Sequence, residues 1–85
     1  MIKGVKAFSA VTVIGGAQIL AANVERLDVI VRNLGPDVVF LYGADTALAF
    51  PILSGEIFDD DTSYDAWSAL SSGSATLRVI EVTAE

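Results

Sequence analysis

Cysteine and histidine are both missing from this chain. Their absence removes disulfides, thiolate nucleophiles, imidazole bases and most zinc sites in one step. Positive charge is scarce too, with five Lys and Arg against eleven Asp and Glu, for a net charge of −6. Phosphate binding needs clustered basic side chains, and here they are few and scattered, which argues against a nucleic-acid partner. Gly15-Gly16 and Gly73 make no phosphate cradle, since no glycine-rich loop opens a helix followed by Lys. No cofactor is implied.

What the chain has in excess is apolar character. Of its 85 residues 53% are hydrophobic and 19% charged. A single domain of this length buries only roughly 60–65% of its unfolded surface, so such a fraction leaves apolar side chains outside and predicts burial against a partner. Ala7 to Val24 is free of charge and follows Lys3 and Lys6, the outline of a signal peptide or membrane anchor. Gly15 and Gly16 interrupt that run, Ser9, Thr12 and Gln18 dilute it, and Leu20 is too large for the position a cut after Ala22 requires. The segment reads as part of the fold, with no membrane partner.

The stretch Glu25 to Gly43 organises the rest. Leu27, Val29 and Val31 alternate with Arg26, Asp28 and Arg32, which places apolar and charged sets on opposite faces of a strand. Gly35 and Pro36 interrupt pairing, and Val38 to Tyr42 reads as the returning strand of a hairpin. Val38, Phe40 and Tyr42 share one face of that strand and Val39 and Leu41 the other, so both faces call for burial. Val5–Phe8, Val11–Ile14, Ala17–Ala21, Glu56–Phe58, Ala66–Leu70 and Ala75–Val82 supply further short strands, and Pro51–Glu56 is a short apolar run closed by a turn; the other turns fall at Gly15-Gly16, Gly43-Ala44-Asp45, Asp59–Asp61 and Ser71–Ser74. Ala66–Leu70 fits a helical turn about as well. The pattern predicts one all-β domain over residues 1–85, a small antiparallel jelly-roll-like sandwich of seven or eight short strands.

Asp59, Asp60, Asp61 and Asp65 form the one constellation with chemical potential. Asp59, Asp61, Ser63 and Asp65 imitate the first half of a calcium loop, but Tyr64 stands where the turn needs Gly and Leu70 where the bidentate Glu belongs. The run reads as a solvated acidic turn, with an irregular ion site as the alternative. Serines without histidine are turn formers, and no catalytic residue, metal or cofactor site is assigned. Tyr64 and Trp67 are the candidate ligand-facing aromatics, while Phe40 and Phe58 are expected in the core. Arg26, Arg32 and Arg78 beside Ile30, Ile80, Val39 and Leu41 compose the candidate oligomer or partner interface, because an Arg stem covers apolar surface while its head pairs with carboxylates.

Taken in order, Val11-Thr12-Val13, Ile19 to Asn23, Arg26 with the strand ending in Asn33-Leu34-Gly35, Val39 to Gly43, Pro51 to Glu56, Trp67 to Leu70 and Ser72-Gly73 leading to Leu77-Arg78-Val79 resemble small tailed-bacteriophage virion proteins of the capsid decoration, cement and head-fibre type. That resemblance implies a non-enzymatic β-sandwich, a homo-oligomer and commonly a trimer, bound to the major capsid protein on the virion surface. Members of the group often carry a basic pair before the central strand, where this chain has Val24 and Glu25. A tail or fibre module for host recognition or carbohydrate binding, built on Trp67 and Tyr64, is the alternative.

Overall fold

A computed structural model describes residues 4–43, 49–61 and 65–84. Among them every regular element is a strand, and the predicted all-β antiparallel sandwich is what forms. β1 spans Gly4–Leu20, β2 Arg26–Pro36, β3 Val39–Tyr42, β4 Phe50–Ile52, β5 Ile57–Asp60 and β6 Trp67–Ala84. β6 lies at the centre. β1 pairs along one edge of it, β2 and β3 along the other, β5 adds to β2 and β4 to β3, all antiparallel.

The expected hairpin is absent. β2 pairs with β6 from Thr83 to Ala75, and β3 continues down the same strand from Leu70 to Ser68. Gly35-Pro36 therefore bends the chain without reversing it, because the backbone groups on either side stay committed to one partner strand. The same correction applies to two more of the expected turns. Gly15-Gly16 lies inside β1, where pairing jumps from Ile14–Ser74 to Gly15–Ser71, and the Ser71–Ser74 run lies inside β6. Seven or eight short strands thus become six, two of them long and folded over a shared corner.

Local chemistry holds that corner. Gly35 has a φ of +86°, and a β-carbon there would come within 2.4 Å of Ser54 Oγ. Opposite it, a β-carbon on Gly73 would fall 2.0 Å from Asp37 Oδ2. That carboxylate accepts the Ser74 N–H at 2.8 Å, while the Asp37 N–H donates to the Ser74 carbonyl at 3.3 Å. Ser71 Oγ donates to the Val38 carbonyl at 3.1 Å.

At the centre of the corner Asn33 is fully buried. Its Nδ2 donates to the carbonyls of Asp37 at 2.9 Å and Ile52 at 2.8 Å, and its Oδ1 accepts the Gly35 N–H at 2.7 Å. Its backbone N–H donates to Glu56 O at 3.1 Å and its carbonyl accepts from Gly55 at 2.6 Å. The side chain thereby joins β2, the bend after it and the end of β4, and the Asn33 backbone ties in the β4–β5 turn.

The core is aliphatic: Val13, Ile19, Val29, Val31, Val39, Leu41, Ile52, Ala69, Ala75, Leu77 and Val79. Phe50 and Phe58 come from β4 and β5, at the two ends of the strand order, yet their ring centroids are 4.8 Å apart. The sheet therefore curls until its two margins touch, with Trp67 closing the contact at 5.3 Å from Phe58 and 6.2 Å from Phe50.

Removing the Asn33 amide leaves two buried carbonyls and one N–H without partners, at a cost of about 1–3 kcal/mol for each unsatisfied group before relaxation. An 85-residue domain has a total stability of roughly 4–13 kcal/mol. Asn33→Ala is expected to lower stability by about 3 kcal/mol, read from the urea midpoint at constant m. A loss under about 1 kcal/mol contradicts the assignment of Asn33 as the tie.

Candidate functional site: the outer face of the main sheet

Register decides which of the expected interface residues meet. On β6, Leu77 and Val79 point inward, so Arg78 and Ile80 point out; on β2, Val29 and Val31 point inward, so Ile30 and Arg32 point out. Ile30 stands directly opposite Ile80 and Arg32 opposite Arg78. β1 extends the first row with Phe8 and the second with Ala10, and β5 extends them with Asp59 and Ile57. The outer face thus carries an apolar row, Phe8–Ile80–Ile30, beside a row with two adjacent arginines. Phe8 is 66% and Ile57 62% exposed. A shallow concavity of about 390 Å³ opens beside Phe8, Ser9, Ala10 and Arg78.

Three expected interface residues lie elsewhere. Val39 and Leu41 are completely buried, and Phe40, expected in the core, lies on the outward side of β3 with Tyr42. A strand apolar on both sides gives no local sign of which side the rest of the chain will cover. Arg26 is only 2% exposed. The ladder slips between Arg26–Thr83 and Asp28–Val82, so Leu27 bulges outward and Arg26 turns in, reversing the alternation the sequence suggests. Its Nε pairs with Glu81 Oε2 at 2.9 Å, Nη1 donates to Asp65 O at 2.8 Å, and Nη2 donates to Ala21 O. That guanidinium is a structural clamp over the barrel end.

Of the candidate ligand-facing aromatics, Tyr64 lies outside the described residues. Trp67 is half-buried, with its ring held by Phe50 and Phe58 and its indole N–H facing no acceptor among the described residues. The acidic stretch is more ordered than a solvated turn, because Asp59 and Asp60 belong to β5 and pair with Ile30 and Val29. Among the described residues no group of three acidic side chains is placed to hold a metal ion.

Asp28 was invisible as a site residue in the sequence, since only the register brings it beside β5. Its pKa is pushed up from 3.8 to about 6, first by a side-chain hydrogen bond with Asp59, then by burial and by the charges of Asp59 and Asp61, against a lowering bond from the Val29 backbone. Asp28 Oδ1 is buried and faces no ordinary donor. Two carboxyl groups can hydrogen-bond only with a proton between them, so the raised value describes a shared proton.

Comparison with solved structures bears on the barrel as a whole. A cupin-2 domain protein of Shewanella frigidimarina matches with a TM-score of 0.63 at 14% identity, over 89% of this chain and 69% of its own. The fold is cupin-like. A cupin superfamily protein of Desulfitobacterium hafniense gives a TM-score of 0.65 at 8% identity, over 98% of this chain and 78% of its own. The cupin domain of Schizosaccharomyces pombe Cnp3 gives 0.66 at 13%, over 96% and 59%. No protein-family model and no curated protein sequence matches the chain. At such identities the likeness carries architecture alone, and in this chain the space between the sheets is filled by Val13, Leu41, Leu77 and their aliphatic neighbours.

The Asp28–Asp59 pair sets a pH dependence whose sign is fixed. The folded chain binds a proton more tightly than the unfolded one between pH 3.8 and about 6. Its contribution is therefore favourable below that window and lost as pH rises through it. Asp28→Asn is expected to be more stable than the parent at pH 7 and to lose that advantage near pH 4, in paired thermal melts. A constant difference across the range contradicts the shared proton.

Proposed function

We propose that this chain is a non-enzymatic structural protein of a phage particle, a homo-oligomeric decoration or cement protein that docks on the capsid exterior through the outer face of β1-β6-β2-β5. The single observation that carries the docking reading is the Arg32–Arg78 pair. Like charges directly opposite each other on a sheet are unfavourable. Neither guanidinium has an ion pair among the described residues, in a chain of net charge −6 that has acids to spare. Flanked by Phe8, Ile30, Ile57 and Ile80, the pair has the composition of a protein interface, where arginine and apolar side chains are enriched and lysine depleted. The ordered likeness from Val11 to Glu81 supports a virion protein as the class.

The mechanism is mass action. A protein that binds the assembled shell and not its separated subunits stabilises the shell by RT ln(1 + [L]/Kd), about 2.7 kcal/mol at a hundredfold excess over Kd. No reactive group is needed for this.

Cognate capsid shells sedimented with the protein are expected to carry it down in saturable amounts and to resist heat better once coated. Arg32→Ala/Arg78→Ala is expected to weaken that binding by at least about tenfold, given roughly 1–3 kcal/mol for hydrogen bonds to a charged group. A folded protein that leaves capsids uncoated contradicts the proposal.

A further inference from the structure

The sheet ends in three margins, and they are not alike. β5 closes one with four residues that include Asp59 and Asp60, and β4 closes another with three that include Pro51. Short length, charge and proline are the ordinary guards of a strand edge, whose unpaired N–H and C=O groups otherwise invite another chain. β1 has almost none of these. It runs for 17 residues, contains no proline and carries Lys6 as its one charge. Among the described residues it pairs with β6 alone, so its other side meets no ladder. Its register holds without a break from Gly4 to Ile14, where the first bulge falls. Along that run Val5, Phe8 and Ile14 are 50%, 66% and 73% exposed.

Charge and residue order both point to a second copy as the occupant. Every Asp and Glu of the chain lies at or beyond Glu25, whereas Lys3 and Lys6 are the only charged side chains before it. Two copies with a net charge of −6 each therefore meet with least repulsion along β1. An antiparallel pair of identical strands centred on Ser9 uses the whole run from Gly4 to Ile14. On the outer face that register sets Phe8 against Ala10 and Ile14 against Gly4, a large side chain against a small one each time. Lys6 falls opposite Thr12. The two Lys6 side chains are then about 20 Å apart at ~3.3 Å per residue, well beyond the Debye length of about 8 Å.

We propose that two copies of this chain join edge to edge, β1 antiparallel to β1, about a two-fold axis at Ser9 that stands perpendicular to the sheet. The contact is isologous and closes on itself, so it makes a dimer and not a fibre. One sheet then runs from β5 of one copy through both β1 strands to β5 of the other. Affinity comes from main-chain hydrogen bonds, as in strand addition generally, and not from a large buried area. Because the axis is perpendicular to the sheet, the outer faces of both copies look to the same side and stay uncovered, Arg32 and Arg78 included. The pairing specifies the self-contact of the homo-oligomer proposed above and is independent of capsid docking.

Sedimentation of the pure protein tests the pairing, and the chain is expected to run as a dimer. Ser9 is exposed and shares the inward side of the sheet with Val79, so its replacement leaves the docking residues unaltered. Ser9→Lys and Ser9→Asp each set like charges directly across the axis. Each is expected to weaken self-association at least about tenfold, and an equimolar mixture of the two is expected to restore the dimer mass. Thermal melts establish that the variants fold. If one does not, Ser9→Cys decides. The chain has no cysteine of its own, and opposed residues of an antiparallel pair stand about 4.5–5.5 Å apart, within disulfide reach, so mild oxidation is expected to give a covalent dimer. A monomer at high concentration, a trimer, charge variants that associate as the parent does, or a cysteine variant that stays monomeric on oxidation overturns the pairing. A monomer that coats capsids leaves docking standing without the pairing; a dimer that ignores capsids leaves the pairing standing without docking.

Discussion

The buried amide of Asn33 is the constraint on which the rest of the molecule depends. Three long stretches of chain, β1, β6 and the β2–β3 run, must all fold over at one level for a single sheet to become a sandwich. A bend of that kind withdraws backbone groups from the ladders, and buried backbone groups without partners are costly. Asn33 answers three of them with one side chain, since its amide both donates and accepts. Leucine of similar volume would fill the space and leave the bend unsatisfied. Glycines at 35 and 73 then leave room for the side chains of Ser54 and Asp37 that lie against them.

Once the corner is fixed, closure follows from aromatic contact. β4 and β5 are too short to hold the barrel by hydrogen bonds, and no ladder joins them. Phe50 and Phe58 bridge the gap at a tilt and Trp67 stands edge-on to both, contacts worth about 0.5–1.5 kcal/mol per pair beyond their burial. Arg26 performs the matching task at the end of β2, where its guanidinium links Ala21, Asp65 and Glu81. A buried guanidinium is tolerated because its donors meet fixed acceptors, and removing its partner would leave a charge stranded. Apolar residues and this clamp occupy the inside among the described residues.

Much of this was legible from residues alone. Alternation in Val29–Val31 and Leu77–Val79 gave the strands and their inward faces, and it placed Ile30, Arg32, Arg78 and Ile80 together on an outward one. The turns were misread for a common reason: Gly and Pro report that the backbone departs from ordinary geometry, not whether the chain reverses or merely bends. That choice depends on which strand holds the next hydrogen bonds, and β6 holds them on both sides of Gly35. A single-residue bulge at Leu27 was equally hidden, and it alone moves Arg26 from surface to interior. Val39 and Leu41 could not be told from Phe40 because all three are apolar. Phe8, Ile57 and Asp28 join the outer face through cross-strand register, which spacing along the chain does not encode.

The central claim is that this protein acts through the outside of its main sheet, with its interior serving only as support. Isoleucine is distributed so that one spectrum can test it: Ile19 and Ile52 are buried inside, whereas Ile30, Ile57 and Ile80 belong to the outer face. Methyl resonances of selectively labelled isoleucine, followed as capsids are added, are the most direct measurement. The account predicts shifts and broadening at Ile30 and Ile80 with Ile19 and Ile52 unmoved. Perturbation confined to Ile19 and Ile52, or no response anywhere, would contradict it.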